Sequence, residues 1–183
     1  MKKIAIIAAI TSAFTVAGAQ AAGNGTINFT GTVNSQTCNA TIGSTASGTA
    51  ATVTLPAAQA NVLATSGNTA GQTSFNISVT GCATTSPQGA GNVKALFEKN
   101  ANVDSQGRLT NTATGGATNV ALQLIDGVTN TPIIVGDASQ SSNGYTNITS
   151  GSATLPYAVR YFATGTATAG SVTASVTYTL IYN

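Results

Sequence analysis

From Ser171 to Asn183 the chain alternates between apolar and polar side chains. Val172, Ala174, Val176, Tyr178, Leu180 and Tyr182 fall on one side. Ser171, Thr173, Ser175, Thr177 and Thr179 fall on the other, and only Ile181 breaks the polar set. Successive side chains of a β-strand point to opposite faces, so a period of two over this length predicts a strand with one buried face. The alternation runs to the last residue, where most domains place frayed polar residues. That raises the expectation of a sheet edge that no later strand covers.

The opposite end reads as a separate unit. Lys2 and Lys3 precede an apolar run from Ile4 to about Val16, and small residues follow at Ala17, Gly18, Ala19, Ala21 and Ala22. A charged start, a short apolar stretch and an A-x-A site form the pattern of a secretory signal, expected over residues 1–21. The run is shorter than the roughly 20 residues a bilayer span needs. Its removal leaves Lys94, Lys99, Arg108 and Arg160 against Glu98, Asp104, Asp126 and Asp137, a net charge of zero. No basic patch remains for nucleic acid. Two cysteines, Cys38 and Cys82, in an exported chain argue for a disulfide. Closing that loop stabilises the fold by roughly 4 kcal/mol in the chain-entropy picture.

What remains is long enough for one domain with a real core. Its polar residues are mostly Thr, Ser and Asn, and Val is frequent. Such residues favour pleated, half-buried surfaces, while Gly and Asn supply turns. Alternating or β-prone runs lie at Thr26–Val33, Ala51–Leu55, Ser74–Thr80, Val93–Phe97, Asn119–Ile125, Pro132–Val135 and Thr154–Ala163. Turn chemistry separates them at Ser86–Gly89, Asp104–Gly107, Gly115–Gly116, Asp126–Gly127 and Ser142–Gly144. Ala57–Ala64 has room for one helical turn or two. Many short strands without a sustained helical stripe predict an all-β, immunoglobulin-like sandwich.

A sandwich of about six strands with a free terminal edge exposes a groove between its sheets. The segment ahead of Cys38 has the complementary pattern: Ile27, Phe29 and Val33 on one face, with Gly31 where close approach is wanted. Burying its three large side chains is worth on the order of 5–9 kcal/mol gross.

Taken together these residues resemble a known family. The signal sequence, the alternating arm before a first Cys and the second Cys after a strand look like a type 1-like fimbrial major subunit. So do Gly170, the terminal alternation and the penultimate Tyr182. The segments Leu155–Gly165 and Ala117–Asp126 also resemble conserved parts of those pilins. The resemblance implies an incomplete immunoglobulin-like sandwich lacking its last strand, completed by a donor strand from another subunit. It implies a donor-strand extension at 22–34 carrying Ile27, Phe29, Gly31 and Val33, and a pilin domain at 35–183. Gly170, Val176, Tyr178, Leu180 and Tyr182 would belong to the acceptor and chaperone-contacting strand, with Cys38–Cys82 as the intradomain disulfide. The implied partners are a periplasmic chaperone, an outer-membrane usher and neighbouring pilins, and the implied destination is a fimbrium at the cell surface.

The residue inventory offers little to other classes. There is no His to act as a base, acids are sparse, and no CxxC spacing occurs. No cofactor, metal or catalytic residue is expected. Tyr157, Tyr161 and Phe162 read as core or intersubunit residues, and Arg160 is expected to pair with a carboxylate or a backbone carbonyl. The alternatives are a minor fimbrial subunit, either tip adaptor or terminator, and a secreted carbohydrate-binding β-sandwich. The latter fits poorly with five Tyr, five Phe and no Trp.

Overall fold

The computed structural model describes residues 28, 38–43, 45–46, 48, 50–83 and 91–183. The secretory segment, the Ser86–Gly89 turn and the arm residues Ile27, Phe29, Gly31 and Val33 lie outside the described residues. Among the described residues no helix is long and apolar enough to cross a membrane.

Among the described residues nine strands form two antiparallel sheets. They are β1 (Asn39–Ile42), β2 (Thr45–Ala46), β3 (Thr69–Thr80), β4 (Asn92–Phe97), β5 (Leu109–Thr110), β6 (Val120–Asp126), β7 (Thr146–Asn147), β8 (Ala153–Ala163) and β9 (Tyr178–Tyr182). The larger sheet runs β2-β1-β3-β8-β6-β5 and the smaller β7-β4-β9. The core lies between them. Ile77 and Val79 of β3, Leu155 and Val159 of β8, and Leu122 and Leu124 of β6 meet Val93, Ala95 and Phe97 of β4. The period-two pattern causes this directly, because each strand sends alternate apolar side chains to one face. Phe97 and Tyr157 pack edge to face at 5.1 Å, a favourable arrangement for two aromatic quadrupoles.

β3, β4, β6 and β8 occupy the runs predicted for them. β3 is longer than its alternation suggests, because a register shift between Ala70 and Thr73 lets it continue. Gly71 sits in that bulge at φ +63°, and a side chain there would come within 2.9 Å of the Tyr161 ring. The Asp104–Gly107 turn forms as expected, closed by a hydrogen bond from Gly107 N–H to Asp104 O at 3.1 Å. The candidate helix at 57–64 is a single 3-10 turn, Ala60–Leu63, which buries Leu63.

Three predicted runs behave differently. Pro132–Val135 makes one isolated bridge, Ile125↔Pro132, although Ile133 and Val135 are buried. Ala51–Leu55 alternates in burial but joins no ladder. The terminal run is laddered only from Tyr178 onward, because β4 ends at Phe97 and offers no strand neighbour beyond that point. Cys38 and Cys82 are joined in a disulfide, tying the start of β1 to the end of β3.

Candidate functional site

β9 pairs with β4 in the register Val93↔Tyr182 to Phe97↔Tyr178. Asn92 and Asn183 exchange N–H···O bonds in both directions, at 3.3 and 3.2 Å, and Glu98 N–H donates to Thr177 O at 2.9 Å. Reciprocally bonded residues alternate in an antiparallel ladder, so the odd-numbered residues of this segment turn their backbone toward β4. The N–H and C=O groups of Val176, Tyr178, Leu180 and Tyr182 therefore turn to the opposite edge. Among the described residues no strand pairs with that edge, and β9 is the last strand of its sheet. The same residues send apolar side chains inward, where they stay only half-buried.

Those side chains line one rim of a cavity of about 770 Å³. The other rim is the unladdered run at 51–55, with Ala51, Val53 and Leu55 half-buried and Thr52 and Thr54 exposed. The floor is the core itself: Phe75, Ile77, Leu122, Leu124 and Val159, with Phe97 beside them. Cys38 also lines the cavity. Among the described residues no Asp, Glu, Lys or Arg lines it. Burial pushes the Tyr178 and Tyr182 hydroxyls above the usual phenol value, as an apolar surround should.

This arrangement has two functions of one strand position left open at once: a row of edge amides and carbonyls, and an apolar trough beneath it. It can take up an extended segment that alternates apolar and polar residues.

Of the residues expected in the acceptor strand, Val176, Tyr178, Leu180 and Tyr182 all line this cavity. Gly170 is exposed and precedes the rim. It lies so close to Gly116 and Ala117 that an added Cβ would strike their backbone. The sequence of 51–55 predicts only a short β-prone run; its role as the second rim comes from the fold. Asn111 and Thr112, which bond the rim at Ser171 and Thr173, carried no signal in the sequence, since polar residues beside a Gly-Gly turn read as loop. Among the described residues Arg160 pairs with neither a carboxylate nor a backbone carbonyl. Its Nε and Nη2 donate to Gln123 Oε1, at 3.0 and 2.7 Å, because antiparallel register sets the two directly opposite.

Residues 27–183 match the family model described as "Fimbrial protein". The chain is 44% identical over 185 residues to the F17 fimbrial protein of Escherichia coli, covering all of this chain and 99% of that protein. It is 44% identical over 169 residues to the major fimbrial subunit SMF-1 of Stenotrophomonas maltophilia, covering 88% of this chain and 94% of that protein. Among solved structures, the Burkholderia pseudomallei antigen and type I fimbria protein matches with a TM-score of 0.56 at 30% identity, over 80% of this chain and 99% of that one. The P pilus rod subunit PapA has the same fold, with a TM-score of 0.58 at 16% identity over 79% of this chain and 99% of that one.

Proposed function

The chain belongs to the fimbrial protein family as a structural pilin of the chaperone–usher class, and we propose that it polymerises by donor-strand exchange through the groove beside β9. The observation that carries this reading is the uncharged cavity of about 770 Å³ along the unpaired edge of β9. The proposed occupant is the 22–34 segment of another copy, with Ile27, Phe29 and Val33 entering the trough and Gly31 passing where space is least. Its backbone would supply ladder bonds to Val176, Tyr178, Leu180 and Tyr182, each worth about 0.5–1.5 kcal/mol net.

Arm and groove are different surfaces of one chain. Their contact is head-to-tail and generates a filament instead of a closed ring. Before assembly the same groove would be held by a strand lent by a periplasmic chaperone, with exchange at an outer-membrane usher after loss of residues 1–21. The product is a fimbrial shaft at the cell surface that supports adhesion. A shaft role, in preference to a tip adaptor or terminator, is supported by the likeness to a relative named as a major subunit.

Phe29→Asp and Gly31→Asp each place a charge against an uncharged trough. Both should abolish fibre growth in cells while chaperone binding through the groove persists. Electron microscopy showing normal fibres from either variant would remove the arm from this role.

A further inference from the structure

The rim opposite the 51–55 run extends well past its ladder. β9 begins at Tyr178, and Glu98 N–H to Thr177 O is the last bond from the β4 side. Ala174 and Val176 still line the cavity, so something else must set the facing of that stretch.

The structure supplies it from the turn after β5. Asn111 Oδ1 accepts from Thr173 N–H at 2.9 Å, and Asn111 Nδ2 donates to Ser171 O at 2.9 Å. Thr112 N–H and Thr112 Oγ1 both donate to Thr173 O, at 2.8 and 3.0 Å. Thr173 thus has both backbone groups bonded on the side away from the groove, the same parity that β4 imposes farther along at Thr177 and Asn183. The Asn111 amide is itself fixed: Nδ2 also donates to Ala117 O at 2.8 Å, and Oδ1 also accepts from Ala113 N–H at 3.1 Å. Two donors and two acceptor positions are then all in use. Ala117 N–H adds a bond to Ser171 O at 2.9 Å.

Parity is decisive in a strand. A slip of one residue would turn Val172, Ala174 and Val176 outward and present Ser and Thr to the trough. We propose that Asn111, with Thr112, is the positioning residue that holds Ser171–Val176 in groove-facing register and so makes this stretch a ladder partner for the incoming strand. The proposal rests on the donor-strand reading above.

The test uses the full chain expressed in cells that assemble it. The wild type, Asn111→Asp and Thr112→Val are compared by amide hydrogen exchange and by the temperature at which multimers dissociate in SDS. Asn111→Asp removes both amide donors and sets a carboxylate against two carbonyls; Thr112→Val removes one hydroxyl bond and keeps its shape. Asn111→Asp multimers should exchange roughly ten-fold faster at Val172–Val176 and dissociate at lower temperature, with Thr112→Val between. Protection in β3, β6 and β8 should be unchanged. Wild-type protection at Val172–Val176 in both variants overturns the proposal, and so does a loss spread evenly over β3, β6 and β8, which marks a merely structural role. If Asn111→Asp does not accumulate, Thr112→Val decides by the same readings. Wild-type multimers that survive deletion of residues 22–34 would overturn the donor-strand reading instead, a separate outcome.

Discussion

Asp104 organises the turn that bears its name-sake charge pair. Oδ1 accepts from the backbone N–H of Gln106 and of Arg108, both at 2.9 Å, and Oδ2 accepts from Arg108 Nε at 2.7 Å. The Arg108 guanidinium in turn lies 4.5 Å from the Phe162 ring centroid, which ties the turn to β8. Desolvation raises the Asp104 carboxyl, but the hydrogen bonds from Arg108 and Gln106 and the guanidinium charge outweigh it, leaving it below the usual carboxylate value. A carboxyl with a depressed folded-state pKa contributes stability that is fully present above its unfolded pKa of about 3.9 and is lost as pH falls through the folded value. Asp104→Asn keeps an acceptor oxygen and loses the charge. It should cost about 1 kcal/mol at neutral pH and progressively less as the pH falls toward 2 and the wild-type carboxyl takes up its proton. Urea midpoints for the pair at the two pH values check this, and an equal gap at both would exclude the charge as the cause.

At the scale of elements, β4 shows how much of a sheet is completed by side chains. On the side away from β9 it is matched by β7 only at Asn92 and Val93. Beyond that, Ala95 N–H donates to the Tyr157 hydroxyl at 3.2 Å, and Phe97 N–H donates to Gln140 Oε1 at 3.0 Å. Gln140 Nε2 returns a bond to Phe97 O at 3.0 Å, so one buried amide imitates the reciprocal pair of a strand neighbour. Gln140→Leu keeps the apolar bulk but leaves Phe97 N–H buried without a partner, while Phe97 O keeps Gly136 N–H at 3.3 Å. A loss of about 1–3 kcal/mol is expected, read from the denaturant midpoint. None of this was visible in the sequence, where Gln140 falls in a Ser-rich stretch resembling any loop. Lys94 was equally hidden. A lysine in mid-strand reads as solvent-facing, yet it is 2% exposed, with Nζ donating to the carbonyls of Gln140, Ser141 and Asn143. A strand such as β3 is legible because its alternation follows from the pleat alone. The second rim at 51–55, the Asn111 clamp and the Gln140 seal are not, since each depends on residues far apart in the chain meeting across a turn.

For the molecule as a whole, the disulfide and the groove are mechanically linked. The Cys38–Cys82 bond spans a sequence separation of 44 and encloses β1, β2, the rim at 51–55 and β3. That closed loop therefore holds the rim that no ladder bond secures. Removing the bond frees the unfolded chain, at a cost of roughly 4 kcal/mol, which lowers Tm by roughly 8–16 °C for a domain of this size. The consequence should depend on when the bond is lost. In a free subunit the rim at 51–55 has the disulfide and its half-buried Val53 and Leu55 to hold it, so Cys38→Ser/Cys82→Ser chains should accumulate poorly and assemble little. In a finished fibre, under the donor-strand reading, the inserted segment bridges both rims and contributes on the order of 5–9 kcal/mol gross from its apolar side chains, more than the bond that is lost. Reductant applied to assembled fibres should then leave their length and SDS resistance nearly intact, whereas reduction before assembly should prevent it. Electron microscopy and gel analysis of the two orders of treatment test the linkage. Equal sensitivity in both orders would mean that the inserted strand does not take over the support of that rim.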